Sequence, residues 1–500
     1  MYNNNLMYNN KIIKFFLIIN ILVFIIGYFI GFKKPFWIDE IISITYGSNF
    51  SFLSLNEIFT QDTHSPFFYF LLFVGQKIIE NIFNENNFNL YFLRLINVFG
   101  FIPIYYSYLL IKKNYRINLD IGIFFLLLIS SNYFFYYVLD LRMYFLLLSF
   151  SLLVNVINLT NTVENENKYV FLLSSIFLSM LHVYGLTISM SILVFRLIKN
   201  TYLKDKKKCN LNIIFIITLL SIFLIFYLPS ILNDENMKMF RWVKNSLWYY
   251  RVFIEWTIST LVLIFSCVII LIYQFRKQIL IKNNVKNFFK SNFFYETLTL
   301  AVPAIILMIV VLTISFLFFP IVHYKALIVI YPNLVLYASI LSVFLIDTKK
   351  YKIFFTLFLI FVTFINVNFY FKSTVKTHEN IEWVIKKTFT KNCTNIPVYF
   401  NDNGSDRIEY LLLNDIINMY SKYKRPILSL TKLNTNNYKE IERVNKYCET
   451  HIFSFHTKNF EKNLDYLNKE KNLKFKIMYA PNVMKKSSKA GAIAFLNQES

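Results

Sequence analysis

Four ionisable side chains that could transfer a proton or bind a cation lie close together in the sequence, just after an apolar segment. They are Asp39, Glu40, Asp62 and His64. Adjacent carboxylates near an apolar boundary repel each other and lose hydration, so we expect the pKa of one of the pair to be raised. Such a group suits proton transfer, and carboxylates with an imidazole suit a divalent cation. Asp39 is therefore the main candidate for a base, whereas Glu40 could also simply favour a helix N-terminus.

The elements that must position these groups are membrane spans. The chain is 56% hydrophobic, with a mean hydropathy of +0.46, whereas soluble globular proteins are about 45–50% apolar. Eleven apolar runs are candidate spans: nine come near the ~20 residues that cross a bilayer, and two shorter ones, 168–182 and 184–198, form a hairpin about His182 and Tyr184. The eleven runs are residues 12–31, 92–111, 119–138, 142–160, 168–182, 184–198, 211–231, 256–275, 295–319, 324–346 and 352–371.

The distribution of charge indicates whether a twelfth apolar run, at residues 64–80, crosses the membrane. Lys and Arg are enriched in cytoplasmic loops. If 64–80 lies at the interface as a juxtamembrane helix, every strongly basic loop falls on the cytoplasmic side together with Lys11 and Lys14. Those loops are residues 112–116, 199–208, 276–290 and 349–352. The net charge of +23 is thereby explained without nucleic acid as a partner.

This topology gathers the functional candidates on the outer face. They are Asp39, Glu40, Asp62, His64, Asp140, Arg142, His182, Arg241, Arg251 and His323. Ionisable groups at the apolar boundary persist mainly when they are paired, solvated or functional. Structural alternatives stay open for three residues: Arg94 and Arg142 could snorkel from helix ends, and His182 could be a neutral capping residue.

Five blocks of the sequence carry a family resemblance. In chain order they are FWIDEIISITYG, DTHSPFFYFLLF, LRLINVFG, LRMYFLLLSFSLL and LHVYGL. Together they resemble the family 39 glycosyltransferases, which have the C-type glycosyltransferase (GT-C) fold and are related to protein O-mannosyltransferases and to the aminoarabinose transferases that modify lipid A. Two positions depart from the family pattern: Ser65 replaces the first Pro of a Pro-Pro pair, and His323 stands where an Arg commonly precedes the Tyr.

The resemblance implies a fold class and a reaction. The expected fold is a polytopic α-helical membrane protein of about eleven transmembrane helices, GT-C-like, with a juxtamembrane helix in the first outer loop (32–91) and a small C-terminal α/β domain. The expected reaction moves a hexose or pentose from a polyprenyl-phosphate donor to an acceptor hydroxyl of an envelope glycan, lipid or protein. Transfer would be inverting and would take place on the outer face of the plasma (inner) membrane.

The site residues follow from the resemblance together with the needs of the reaction. Asp39 is the predicted base, and Glu40 either orients the acceptor or joins Asp39 and His64 on a possible divalent cation. The predicted donor-phosphate residues are Arg142, Tyr144, His323 and Lys325. Further predicted donor or acceptor contacts are Asp62, His64, Arg94, His182 and Arg241. The alternatives are a transporter or flippase of lipid-linked sugars and an inactive scaffold of the same fold. A transporter would need charged residues near mid-membrane and paired inverted repeats, whereas the polar groups of this sequence gather at one face.

The composition changes after Phe371, which predicts two domains, 1–371 and 372–500. Residues 372–500 alternate short strand-like and helical runs, a pattern typical of a small α/β domain with a partly parallel sheet. The topology places this domain outside the cytoplasm and the N-terminus inside. An oxidising exterior permits a disulfide between Cys393 and Cys448, with two free thiols as the alternative, whereas Cys209 and Cys267 should not pair.

Overall fold

The protein is described by a computed structural model in two compact units. The described residues are 11–32, 34–51, 65–83, 90–113, 119–160, 168–231, 247–278, 292–317, 325–346, 352–375, 380–394, 396–401, 413–430, 448, 450–455, 460–470, 475–480 and 492–496. The helical unit comprises Met1–Phe29 and Phe50–Tyr370, and the α/β unit comprises Ile30–Asn49 and Phe371–Ser500. The short segment of residues 30–49 thus groups with the C-terminal part of the chain.

The helical unit is built mainly from apolar helices. Its α-helices are α1 (Lys11–Phe32, whose last residues belong to the α/β unit), α3 (Phe67–Phe83), α4 (Phe101–Lys113), α5 (Ile121–Ile129), α6 (Asn132–Leu139), α7 (Tyr144–Leu159), α8 (Lys168–Leu181), α9 (Val183–Tyr202), α10 (Lys206–Phe226), α11 (Leu228–Ile231), α12 (Leu247–Gln278), α13 (Asn292–Leu317), α14 (Tyr331–Ile346) and α15 (Lys352–Val375). Two 3-10 helices, Leu90–Gly100 and Ala326–Ile330, precede α4 and α14.

Every predicted apolar run is helical within its described residues, but the helices differ in length. Among the described residues, six helices are long and apolar enough to cross a membrane, the bent pair α5 and α6 makes a seventh only if it crosses as one span, and four shorter apolar helices lie in the remaining runs. The twelfth run, at 64–80, overlaps α3 (Phe67–Phe83), whose 17 residues are too few to be a candidate membrane span. The prediction of a polytopic helical membrane protein is confirmed. The orientation of the helices stays a prediction.

The predicted span 119–138 is a broken helix, for a local reason. Helices α5 and α6 meet at an angle of 57°. Ser130 ends α5 by donating its hydroxyl to the Leu127 carbonyl (2.9 Å), and Ser131 accepts the Phe134 N–H (3.1 Å) as the N-cap of α6. Because a serine N-cap starts a new helix, two serines in succession break an otherwise apolar run.

Buried amide groups join the helices of this unit. Asn333 on α14 donates both to the Asn155 side chain on α7 (2.9 Å) and to the Leu300 carbonyl on α13 (2.9 Å). Ser151, one turn before Asn155, donates to the Val329 carbonyl at 2.7 Å. Such polar contacts hold helices together where lipid removes the hydrophobic drive for association.

The α/β unit contains a five-stranded mixed sheet. Its strands are β1 (Val398–Phe400), β2 (Ile427–Ser429), β3 (Ile452–Ser454), β4 (Phe475–Tyr479) and β5 (Ala492–Leu496), in the order β2-β1-β3-β5-β4. Strand β1 pairs in parallel with β2 and β3, and β5 pairs antiparallel with β3 and β4. The prediction of a small C-terminal α/β domain with a partly parallel sheet is confirmed.

Four α-helices accompany this sheet among the described residues. They are α2 (Ile38–Ser48), α16 (Ile381–Thr388), α17 (Leu413–Tyr420) and α18 (Phe460–Glu470). Helix α18 packs Phe460 and Leu464 onto Tyr399 and Ile452 of the sheet, forming a core that is nearly inaccessible to solvent. Helix α16 contacts β3 and β5 and also α17. The unit therefore has its own hydrophobic core.

A buried arginine lies at the amino-terminal ends of the parallel strands. Arg425 donates to the carbonyls of Ile396 (2.9 Å), Thr388 (2.7 Å), Thr450 (3.1 Å) and Pro397 (3.2 Å). Burial lowers the pKa of Arg425 to about 10, so the guanidinium still carries its charge at neutral pH. Four carbonyl contacts compensate for the lost hydration of this charge.

A disulfide lies next to this arginine. Cys393 and Cys448 are bonded, with their Cα atoms 5.5 Å apart, so the disulfide alternative is the one that the structure adopts. Cys209 and Cys267 are free, as predicted. The bond links the segment before β1 to the segment before β3.

Candidate functional site

The predicted acidic pair lies in the first turn of α2, where its two carboxylates have different environments. Glu40 is only 2% exposed, and its Oε2 accepts the main-chain N–H of Trp37 at 3.1 Å. This contact caps the N-terminus of α2 in the manner of a capping box. Asp39 is half-buried, and its carbonyl accepts the Ser43 hydroxyl at 2.8 Å. The helix-terminus interpretation thus applies to Glu40, and Asp39 is the more exposed carboxylate of the pair.

A second group of predicted residues meets in the helical unit, at the turn between α6 and α7. The Arg142 guanidinium carbon lies 6.0 Å from the ring centroid of Tyr144, within the range of a cation–π contact. The Tyr144 ring lies 6.4 Å from the ring of His182, which begins α9. Arg142 is 6% exposed, so a lipid-facing snorkelling arginine does not describe it. These three side chains combine a fixed positive charge with two hydrogen-bonding rings.

His182 also has a structural task. Its Nδ1 accepts the main-chain N–H of Tyr184 at 3.1 Å, which caps α9. Because Nδ1 is the acceptor, the neutral ring carries its proton on Nε2, and that nitrogen is then a donor. The capping interpretation is therefore correct for Nδ1. This contact involves Nδ1 alone and does not define the role of Nε2.

An aromatic cluster backs the Arg142 turn. Tyr137 packs against Tyr144 with ring centroids 4.8 Å apart and the rings tilted by 45°, and the ring centroid of Trp256 on α12 lies 5.8 Å from that of Tyr137. Tyr133 and Tyr136 contact the same Trp256 ring at 5.0 and 5.6 Å. Trp256 therefore packs against three tyrosines of α6.

Asn97 is a site residue that the sequence analysis did not single out. This side chain is fully buried, and its Nδ2 donates to the carbonyls of Asp140 (2.7 Å), Tyr137 (3.2 Å) and Val138 (3.3 Å). The Asp140 carbonyl also accepts the Arg142 N–H at 2.7 Å. Asn97 therefore ties the end of α6 to the turn that carries Arg142. The only hint in the sequence is an asparagine within the apolar block LRLINVFG.

Arg94 lies one turn from Asn97 on the same 3-10 helix. It is 1% exposed, and its guanidinium carbon lies 5.7 Å from the Tyr91 ring centroid. A buried arginine is inconsistent with snorkelling from a lipid-exposed helix end. Its predicted role as a donor or acceptor contact stays a prediction.

The remaining predicted residues divide by whether the structure describes them. Lys325 is half-buried at the N-terminus of the second 3-10 helix. Asp62, His64, Arg241 and His323 lie outside the described residues. Within the described ranges, no three His, Cys, Asp or Glu side chains are close enough to hold a metal ion. The possible cation at Asp39, Glu40 and His64 stays a prediction, because it depends on His64.

Comparison with known proteins gives structural neighbours but no sequence match. No family model and no curated protein matches the chain. The chain is similar to ArnT from Cupriavidus metallidurans in the apo state, at 10% identity and a TM-score of 0.48, covering 96% of this chain and 98% of that one. The same ArnT bound to undecaprenyl phosphate gives 11% identity, a TM-score of 0.47, and coverages of 96% and 97%.

A third neighbour is the Archaeoglobus fulgidus oligosaccharyltransferase in complex with Zn and sulfate. It has 11% identity and a TM-score of 0.44, covering 95% of this chain and 72% of that one. At this identity the similarity concerns the backbone alone and does not extend to substrates or residues.

Proposed function

We propose that the chain is a membrane glycosyltransferase that moves a sugar from a polyprenyl-phosphate donor to an acceptor hydroxyl, with Asp39 as the general base. In this reaction the acceptor O–H proton passes to the Asp39 carboxylate while the acceptor oxygen bonds to the anomeric carbon. The bond from that carbon to the phosphate oxygen breaks, and polyprenyl phosphate leaves with the electron pair. Attack opposite to the leaving group inverts the anomeric configuration.

The observation that carries the proposal is that the two carboxylates of the acidic pair have different contacts and different exposure. Glu40 uses its carboxylate to cap α2, which fixes the first turn of that helix. Asp39 belongs to the same turn and remains half-exposed. A general base needs a fixed position and access to the proton that it removes. Of the two carboxylates, Asp39 has both properties.

Arg142, Tyr144 and His182 supply the groups that a departing phosphate needs. Arginine presents a planar fork of donors that matches phosphate oxygens, and donors fixed in advance stabilise developing charge without reorganisation. Tyr144 and the Nε2 of His182 add two further hydrogen-bonding groups next to that fork. We assign the donor phosphate to this cluster, with Lys325 and His323 as the remaining predicted contacts.

The disulfide supports the proposed location of the α/β unit. Disulfides persist in oxidising compartments and are rare in the cytosol. The bond between Cys393 and Cys448 therefore favours an extracytoplasmic α/β unit, and the free Cys209 lies next to a basic loop predicted to be cytoplasmic. Both fit a plasma-membrane enzyme that acts on its outer face.

The test compares the lipids and glycans of cells that express the wild-type chain, Asp39→Asn or Glu40→Gln at matched membrane levels. We expect wild-type cells to carry a hexose- or pentose-sized mass on one acceptor. Asp39→Asn should abolish that mass and accumulate the polyprenyl-phosphate sugar, because the shape is kept and the base is lost. Glu40→Gln should retain part of the transfer, because a glutamine oxygen still accepts the Trp37 N–H.

Two outcomes would contradict this function. If wild-type cells gain no mass in any envelope fraction although the protein is folded, the chain is not a transferase. Movement of a lipid-linked sugar across sealed vesicles without covalent transfer would then identify a transporter. If Asp39→Asn transfers as well as the wild type, the base lies elsewhere.

A further inference from the structure

The acidic-pair helix and the C-terminal part of the chain form one compact unit, which gives the α/β unit a role. We propose that the C-terminal part of the α/β unit, Phe371–Ser500, holds α2 in place, and that Asn49 and Asp415 are positioning residues for Asp39. This inference rests on the proposed function, because it assigns Asp39 as the base. It goes beyond that function by explaining what the C-terminal domain contributes.

The direct observation is the packing of α2 on α17. The two helices contact each other, and Asn49 Nδ2 donates to Asp415 Oδ2 at 3.5 Å. Asn49 is the C-cap of α2, and its main-chain N–H closes the last turn on the Thr45 carbonyl at 3.1 Å. Asp415 lies in the first turn of α17, where the helix dipole favours a negative charge. The contact thus joins the C-terminal end of α2 to the N-terminal end of α17.

Helix α17 is itself held by the rest of the α/β unit. Leu413, Ile416 and Ile417 are buried on one side of this helix. At its C-terminal end, the Ser421 hydroxyl donates to the Phe389 carbonyl at 3.0 Å, which ties α17 to the end of α16. Helix α17 therefore has an apolar contact along its length and a polar tie at each end.

Helix α16 continues this support to the sheet. It packs on β3 and β5, and its last residue, Thr388, gives its carbonyl to Arg425 at 2.7 Å. The disulfide Cys393–Cys448 lies in the segments that Arg425 also holds. A continuous series of contacts runs from the cross-linked sheet through α16 and α17 to α2.

The geometry of α2 makes its far end relevant to Asp39. Asp39 and Asn49 lie at opposite ends of an 11-residue helix. With a rise of 1.5 Å per residue, they are about 15 Å apart along the axis. A short helix tilts as a rigid rod, so displacement at Asn49 moves Asp39. Because a misplacement of about 1 Å can cost about a hundredfold in rate, holding the distal end has catalytic value.

A donor–acceptor swap separates positioning from general stability. Asn49→Asp places two carboxylates face to face, whereas Asp415→Asn leaves two amides that can still form a hydrogen bond. The double variant Asn49→Asp/Asp415→Asn restores one donor and one acceptor in reversed order. The control is Glu382→Gln, which weakens the exposed Lys386–Glu382 pair (2.6 Å) on α16 without touching α2.

Two readouts on the full-length protein in lipid nanodiscs decide the inference. The first is kcat and acceptor KM for sugar transfer from a polyprenyl-phosphate sugar. The second is hydrogen exchange of the α2 amides, which needs no activity. We expect Asn49→Asp to lower kcat by up to about fivefold, the scale of an exposed charge contact, and to speed exchange in α2. The double variant should restore both, and Glu382→Gln should change neither.

The outcomes are distinguishable from a failure of the proposed function. If hydrogen exchange in α2 is unchanged in Asn49→Asp, the proposal that the C-terminal part of the α/β unit holds α2 in place is wrong. Faster exchange with unchanged kcat would overturn the positioning role. A wild-type protein that transfers no sugar would refute the proposed function. The exchange data would still show whether the C-terminal part of the α/β unit holds α2 in place.

Discussion

The side-chain nitrogen of Asn97 lies 2.7 Å from the main-chain oxygen of Asp140, and the same oxygen receives the N–H of Arg142. One buried amide thereby fixes the turn that presents the proposed phosphate-binding arginine. Since Asn97 contacts only main chain in this turn, its effect on chemistry must pass through the position of Arg142.

We expect Asn97→Ala to raise the KM for the polyprenyl-phosphate donor by about tenfold, because a loosened turn no longer holds Arg142 in place. Asn97→Asp should be worse, because a carboxylate would face three carbonyl oxygens. The measurement is steady-state transfer at varied donor concentration. The matched control is Asn333→Ala, which removes a buried amide that bonds the Leu300 carbonyl away from this turn. Equal effects of the two alanine variants would show a loss of stability alone.

We expect Arg142→Lys to bind the donor more weakly even though the charge is kept. Lysine cannot form the planar fork, and it would not reproduce the guanidinium contact with the Tyr144 ring. A lost charge-assisted hydrogen bond corresponds to a loss of about tenfold or more in affinity. Binding of the donor lipid to the purified protein would measure this effect. Donor affinity that stays unchanged while acceptor KM rises would move Arg142 to the acceptor side.

The stability of the α/β unit should depend on pH through His451. Burial, together with the nearby charge of Arg425, lowers the pKa of His451 to about 4. The folded state therefore favours the neutral imidazole, and the unfolded chain binds more protons between about pH 6.5 and pH 4. Stability is complete above pH 6.5, falls as the pH drops through this window by up to roughly 3 kcal/mol, and changes no further from this group below pH 4.

Hydrogen exchange of the sheet amides at pH 7.5 and pH 5 would measure this loss in the full-length protein. His451→Gln should remove most of the difference between the two pH values, because glutamine does not titrate. A pH dependence that survives the substitution would assign it to other groups.

Loss of the disulfide should destabilise the α/β unit. The two cysteines are 55 residues apart in sequence, and a cross-link over that separation contributes about 4 kcal/mol in the chain-entropy description. We expect Cys393→Ser to lower the unfolding midpoint of the α/β unit in denaturant, and Cys209→Ser to leave it unchanged. Equal midpoints for Cys393→Ser and the wild type would show that the bond does not form in the cell.

The sequence predicts local features well and long-range contacts poorly. Apolar runs such as 211–231 identify helices because burial in lipid leaves a pattern in composition, and the positive loops add an orientation. The break at Ser130–Ser131 was missed because two serines leave the hydropathy of the run almost unchanged. The acidic pair was identified, but only the structure shows that Glu40 caps α2 while Asp39 remains half-exposed.

Two features of the candidate site had no local pattern to reveal them. Asn97 contacts a turn some 40 positions away, and a lone asparagine in an apolar block does not indicate a partner. Helix α2 groups with residues beyond 370 because of packing between distant segments. Propensity and periodicity describe neighbours in sequence, so neither could predict these contacts.

The membership of α2 in the α/β unit also sets an order on biosynthesis. Residues 38–48 are synthesised before α17 (Leu413–Tyr420), on which α2 packs, and before β5 (Ala492–Leu496), which lies between β3 and β4 in the sheet. Helix α2 therefore lacks its packing surface until those later segments have been synthesised. Contacts of such high sequence separation form late in folding. A nascent or truncated chain can thus be inserted in the membrane while its base is still unplaced, so catalytic competence follows completion of the fold.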